Sequence, residues 1–125
     1  MAKISFRKQI LDFVNKKYGV HGDSPWEKYP DFVVLRHADN QKWFGLVMNI
    51  PKNKLGLNGD DMVDVINLKK DDVVIGGFIK QYGILRAYHM NKASWISVLL
   101  DGTVPLKDIE FLINVSYELT KKKKS

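Results

Sequence analysis

The sequence of 125 residues contains no cysteine. That absence excludes disulfide bonds, thiol nucleophiles and thiolate metal sites. Long apolar runs are also missing, since a run such as 96–100 falls far short of the roughly 18 residues that a membrane span needs. Nor does the N-terminus show an apolar stretch followed by a small-residue cleavage site. We therefore expect a cytoplasmic protein that does not enter a membrane.

Motifs for catalysis and for metal or cofactor binding are absent as well. The sequence has no P-loop, no G-x-G-x-x-G and no G-x-S-x-G. Its histidines, His21, His37 and His89, lie in separate segments, and none has a second ligand at metal-binding spacing. The paired acids at 60–61 and 71–72 lack the spacing of a calcium loop. We therefore predict a non-enzymatic protein without a metal or cofactor.

Composition and charge indicate one ordinary globular domain. Hydrophobic residues make up 45% of the chain and charged residues 27%. The net charge is +6, but Lys121–Lys124 carry four of these charges, which leaves +2 for the rest. We predict a domain over 1–120 and a solvated basic tail over 121–125.

Hydrophobic periodicity predicts an α+β fold. Helical spacing marks 5–18, where Ser5 is the candidate N-cap and Gly19 the candidate C-terminal residue. β-branched and aromatic residues, together with turn residues, predict strands over 32–37, 42–50, 62–69 and 95–100. Pro105 opens a final helix over 105–119. The order of these elements predicts an antiparallel sheet of four or more strands in a single domain.

One segment, 71–82, stays undecided on periodicity and propensity alone. Its apolar residues have helical spacing, and Asp71 or Asp72 could cap a helix. However, Gly76 and Gly77 each cost a helix about 1 kcal/mol relative to alanine.

Several stretches together resemble the MmcQ/YjbR family of small bacterial proteins. They are PWEKYPDFVVLRH (25–37), KWFGLVMNIPKNKLGL (42–57), VDVINLK (63–69), AYHMNKASW (87–95), LLDGTVP (99–105) and SYELT (116–120). The resemblance implies a frataxin-like α+β fold with the helices on one side of the sheet, a helix at 71–82, and YHMNKASW as the link from that helix to the last strand. Arg86 and Ser94 stand where members usually have proline and histidine, which weakens any proposal that requires a pair of histidines here.

The same resemblance implies DNA binding, the role commonly ascribed to the family. Cations that could contact phosphates are interleaved with groups that could read bases. The predicted double-stranded DNA contacts are Arg7, Lys8, Arg36, Lys42, Arg86, His89, Asn91 and Lys92. An iron-binding role like that of frataxins is disfavoured, because the first helix carries several cations against one carboxylate, Asp12.

Three other interpretations stay open. In the first, Trp43 and Trp95 belong to the core, Arg36 pairs with an aspartate, and YHMNKASW is a structural turn in which Asn91 bonds the backbone. In the second, Phe111 and Val115, four residues apart on the last helix, form an apolar patch for a protein partner. In the third, His89 borders a pocket for a small ligand or a reaction, with Ser94 or Ser97 as its partner.

Overall fold

The computed structural model describes residues 4–76 and 83–121 and shows helices packed on a five-stranded sheet. In chain order the elements are α1 (Arg7–Tyr18), β1 (Val33–Arg36), β2 (Trp43–Pro51), a short 3-10 helix (Lys52–Leu55), β3 (Met62–Lys69), α2 (Asp72–Gly76), β4 (Ile84–Arg86), β5 (Trp95–Leu99) and α3 (Leu106–Thr120). The strand order is β1-β2-β3-β5-β4, and every neighbouring pair is antiparallel. The predicted α+β class with an antiparallel sheet is confirmed.

One face of the sheet carries the main core, because the apolar stripes of α1 and α3 pack against it. Ile10 and Val14 of α1, and Ile109 and Ile113 of α3, are buried there among apolar residues of the strands. The fully buried Phe44 ring has its centre 5.0 Å from the Tyr117 ring of α3. These contacts bury one apolar face of each helix against the sheet and confirm the helices predicted over 5–18 and 105–119.

The opposite face of the sheet is also apolar, although neither α1 nor α3 covers it. The buried side chains on this face are Val34, Leu46, Met48, Ile50 and Val65. Aromatic residues from the segment between α1 and β1, and residues of the β4–β5 loop, pack beside them. A sheet buried on both faces is unusual for an antiparallel arrangement, where one face is commonly solvated. Among the described residues, connecting segments and Leu55 of the short 3-10 helix therefore cover this face.

A β-bulge in β2 decides which face of the sheet each of two neighbouring aromatic residues takes. Leu35 pairs with Gly45, but the next residue, Arg36, pairs with Trp43, so Phe44 is the extra residue. A bulge of this kind shifts the alternation of side chains along its strand. Phe44 consequently packs in the helix-side core, while Trp43 joins the apolar cluster on the opposite face.

Polar groups on α3 fix the ends of β2 and β3. The buried Ser116 hydroxyl donates to the carbonyl oxygen of Phe44 at 2.6 Å and accepts from the Lys69 N–H at 2.9 Å. One turn later, Thr120 Oγ1 lies 2.8 Å from Nε2 of His37, which is also buried. Removal from water lowers the pKa of His37 below its ordinary value. Burial thus favours the neutral form of the imidazole at the junction of β1 and α3.

Several boundaries differ from the sequence expectation. Helix α1 begins at Arg7 rather than at Ser5, whose hydroxyl accepts from the Arg7 N–H at 3.2 Å, while Gly19 ends it in the left-handed conformation as predicted. Asp71 caps the start of α2, because its carboxylate accepts from the Val73 N–H at 2.9 Å. The helix predicted over 71–82 is described only to Gly76, and its remainder lies outside the described residues.

Strand β4 was not predicted. Its three residues pair with β5, so that YHMNKASW connects β4 to β5. The expectation that this segment follows directly on a helix is wrong. A strand so short carries too few alternating residues to be recognised before its partner is known.

Candidate ligand-binding site

A cavity of about 840 Å³ lies on the sheet face opposite α1 and α3. Its floor is formed by apolar side chains of β2, including Leu46, Met48 and Ile50. Six aromatic residues contribute to its walls, namely Trp26, Tyr29, Phe32, Trp43, Tyr88 and Trp95. Among them are all three tryptophans of the chain. Concave sites of this size, lined mainly by apolar and aromatic groups, are typical of small-molecule binding.

The aromatic residues on one side of the cavity brace one another. The Trp26 ring meets the Trp43 ring edge-on, with centroids 5.8 Å apart, and meets the Phe32 ring in the same way at 6.2 Å. Tyr29 stacks on Phe32 at 4.8 Å. Such offset and edge-to-face pairs are the preferred geometries of aromatic rings. The segment between α1 and β1 thereby forms an ordered wall of the cavity.

A buried polar network holds the start of the β4–β5 loop against the sheet. The amide of Asn67, on β3, donates to the carbonyl oxygen of Tyr88 at 2.8 Å. The hydroxyl of Ser97, on β5, accepts from the Tyr88 N–H at 3.0 Å and donates to Asn67 Oδ1. Asn67 and Ser97 are fully buried. Both backbone groups of Tyr88 are thus anchored, which sets its side chain in the cavity wall.

Asn91 closes the turn that follows. Its side-chain oxygen accepts from the Ala93 N–H at 2.8 Å, and its carbonyl oxygen accepts from the N–H groups of Ser94 and Trp95. This is the backbone-bonding role that the structural interpretation of YHMNKASW predicted. The turn delivers Trp95 to the start of β5, half-buried in the cavity wall. Trp95 is therefore not the core residue of that interpretation, and neither is the half-buried Trp43.

His89 lies on the cavity rim in a strained conformation. It is exposed, its φ is +63°, and its ring centre is 4.0 Å from that of Tyr88. A left-handed conformation at a residue other than glycine is uncommon and clusters at functional positions. Ser97 is not positioned as a nucleophile for His89, because its buried hydroxyl is engaged with Asn67. The rim histidine is available to a ligand rather than to Ser97.

The charged side chains that line the cavity are all basic among the described residues. Lys54 is among the lining residues, and no aspartate or glutamate of the described chain is. A second, shallower cavity of about 330 Å³ shares Trp43, Met90 and Trp95 with the first and adds Lys42 and Lys69. The Lys69 ammonium lies 5.6 Å from the centre of the Trp95 ring, within the range of a cation–π contact. The aromatic wall formed by Trp43 and Trp95 thus lies between the larger, apolar cavity and the smaller, basic one.

The predicted DNA contacts fall into two groups. Arg36 is paired with Asp23 at 2.7 Å, as the structural interpretation predicted, and Arg7 is paired with Asp64 at 3.3 Å. The exposed members are Lys8, Lys42, Arg86, His89, Asn91 and Lys92.

The structure does not bring all of these residues to one place. Arg7 contacts β3 at Asp64, whereas the loop that carries Lys92 is bonded to the other end of that strand through the Lys70 N–H and the Ser94 carbonyl oxygen. Those positions are six residues apart, or about 20 Å along an extended strand. His89, Asn91 and Lys42 border the two cavities, while Arg7 and Lys8 lie at the start of α1.

The patch predicted on α3 is partly exposed. Phe111 has 47% of its surface exposed, and Val115 is half-buried beside a small depression near Leu119.

Within residues 4–76 and 83–121, no cluster of three or more histidine and acidic side chains could hold a metal ion. Nor does any helix in those ranges have the length and apolar character needed to span a bilayer.

Comparisons with known proteins agree with this architecture. A model of the YjbR family matches residues 15–119. An uncharacterised Bacillus subtilis protein, YyaQ, is 44% identical over 115 residues, covering 92% of this chain and 98% of its own. A crystal structure of a Pseudomonas syringae protein is 50% identical with a TM-score of 0.87, covering 92% and 98% of the two chains. A Deinococcus radiodurans protein, 20% identical with a TM-score of 0.66 over 96% and 81%, shares the fold. The chain belongs to the YjbR family.

Proposed function

We propose that this protein binds a small, planar, largely apolar ligand in the aromatic cavity on the sheet face opposite α1 and α3. The observation that carries the proposal is the concentration of six aromatic side chains around one cavity of about 840 Å³. An apolar cavity left to water is unfavourable, and a ligand that displaces this water gains roughly 25 cal/mol for each Å² of apolar surface it buries. The cavity is large enough for a fused ring system.

The chemistry of the walls favours a flat ligand. Trp26, Trp43 and Trp95 offer ring faces and edges, against which an aromatic ligand gains stacking or edge-to-face contacts beyond its area burial. Met48 and Met90 add polarisable side chains that adapt to the outline of a ligand. Asn49, Asn91 and His89 supply the few polar groups that would orient it. Binding, rather than a reaction, is the role that this arrangement supports.

The tryptophans provide the test. In ¹⁵N-labelled protein, titration with planar aromatic compounds such as 2-naphthamide is expected to shift the indole N–H signals of Trp26, Trp43 and Trp95 together and to saturation. Replacing Trp26 by alanine removes one wall and should weaken binding at least fivefold, whereas Phe111→Ala, on α3, should leave it unchanged. The proposal is wrong if the indole signals do not respond, or if Trp26→Ala and Phe111→Ala behave alike.

Double-stranded DNA is a second candidate, favoured by three exposed cations. Lys42, Arg86 and Lys92 form no ion pair with any other described residue. Cations of this kind bind phosphates without reading sequence, and the affinity then falls steeply with salt. Arg36 and Arg7 are weaker candidates, because each already has an aspartate partner.

Duplex titrations over a range of salt concentrations test this second candidate. With three phosphate contacts, the slope of log K against log salt should be near −3. The double variant Arg86→Ala, Lys92→Ala should flatten the slope by about two units. A chain that lacks Lys121–Lys124 is the control, because a basic tail alone attracts DNA at low salt. DNA binding could be lost when the tail is removed and yet be retained in the double variant. That result would show that the folded domain does not bind DNA.

A further inference from the structure

We infer that the ligand of the aromatic cavity is an anion, with a planar body in the larger cavity and a negatively charged group in the basic one. This inference rests on the proposed function and specifies the class of ligand. The two cavities share Trp43, Met90 and Trp95. One molecule can therefore contact the aromatic wall with its ring system and reach past the edge of that wall with a short substituent.

Two lysines give the smaller cavity its positive charge. Lys42 and Lys69 line the smaller cavity, and neither forms an ion pair within the described ranges 4–76 and 83–121. Lys69 extends from β3 opposite Trp95 on β5 and holds its ammonium over the indole ring. An ammonium group held beside an aromatic wall is placed to meet an anion bound at the end of that wall.

The surroundings exclude the opposite charge. An aromatic wall can also bind a cation, but Lys42 and Lys69 would repel one from the smaller cavity, and none of the described residues that line either cavity is an aspartate or glutamate. Asp39, in the turn before Lys42, is exposed, and its carboxylate accepts from the Asn40 N–H at 2.7 Å. A carboxylate, sulfonate or phosphate on a planar body therefore fits both cavities.

A matched pair of compounds tests the inference. 2-Naphthoate and 2-naphthamide have the same ring system and nearly the same size, and differ in charge. We expect 2-naphthoate to bind about tenfold more tightly, as judged from the tryptophan indole signals, with an advantage that shrinks in high salt. In the double variant Lys42→Gln, Lys69→Gln the two compounds should bind equally, at the affinity of the amide for the original protein. Lys8→Gln, on α1, should change neither affinity.

The outcomes separate this inference from the proposed function. If both compounds bind the original protein with equal affinity, the cavity is a ligand site but the assignment of charge is wrong. The assignment is also wrong if the advantage of 2-naphthoate survives the double substitution. If neither compound moves the tryptophan signals, the proposed function fails together with the inference. Light scattering identifies one cause of that result, namely a second copy of the chain covering this face of the sheet.

Discussion

Replacing Ser97 by alanine should destabilise the protein by about 2–4 kcal/mol. The fully buried Ser97 hydroxyl accepts from the Tyr88 N–H and donates to Asn67 Oδ1. Alanine leaves the Tyr88 N–H and Asn67 Oδ1 without the hydroxyl as a hydrogen-bond partner, and each unsatisfied buried group costs about 1–3 kcal/mol. Because the same network anchors the start of the β4–β5 loop, the variant should also bind planar ligands more weakly. Chemical denaturation measures the first effect, and titration of the indole signals the second.

Ser94→Ala provides the matched control, since it deletes the same hydroxyl three residues away. Ser94 is half-buried in the same loop, and its hydrogen bonds within the described chain are made by backbone groups, the N–H to Asn91 and the carbonyl oxygen from Lys70. Its replacement should cost no more than about 0.5 kcal/mol, as at most surface positions. Equal losses in the two variants would show that the network does not anchor Tyr88.

Gly83→Ala should destabilise the protein by about 2–5 kcal/mol. Gly83 precedes β4 with φ at +97°, where a side chain imposes backbone strain of about 1–3 kcal/mol. A Cβ atom there would also lie 2.7 Å from Cγ2 of Val104, which is fully buried. Forcing extra volume into packed surroundings typically adds 1–3 kcal/mol. The carbonyl oxygen of Gly83 accepts from the Leu99 N–H, so a shift of this residue would disturb the β4–β5 pairing.

Gly59→Ala separates the two costs. Gly59 has almost the same φ, +98°, but nothing lies within 4 Å of a Cβ built there. In this variant, backbone strain alone should lower the free energy of unfolding. The difference between the free energies of unfolding of the two variants therefore measures the clash with Val104. If both substitutions cost the same, packing around Gly83 contributes nothing and our account of the start of β4 is wrong.

The elements that periodicity predicts are those whose burial repeats within one segment. The spacing of Ile10 and Val14, and of Ile109 and Ile113, identifies the core faces of α1 and α3 without knowledge of the rest of the fold. Strand β3 was predicted with its bounds because Val63 and Val65 mark one face of a strand and Ile66 and Leu68 the other. Strand β4 has three residues, and its pairing with β5 depends on contacts that the local pattern does not contain.

The cavity could be predicted only in part. His89, Asn91 and Trp95 were singled out as a group, and the structure does place them on its border. The direction of Trp43 depends on the bulge at Phe44, which arises only when β1 and β2 pair. One hint was present in the sequence: β3 carries apolar side chains on both faces, although α1 and α3 cover one. A second apolar layer was therefore required.

A crystal structure with 6-bromo-2-naphthoate tests the central claim, that the sheet face opposite α1 and α3 is a ligand site, most directly. The anomalous scattering of bromine locates the compound independently of any interpretation of weak density. We predict a single strong bromine peak inside the cavity between Trp26 and Trp95, with the carboxylate within about 4 Å of the ammonium of Lys42 or Lys69, the range of an ion pair. A bromine peak on the helix face or only between neighbouring molecules, with the aromatic cavity free of the compound, would contradict the claim.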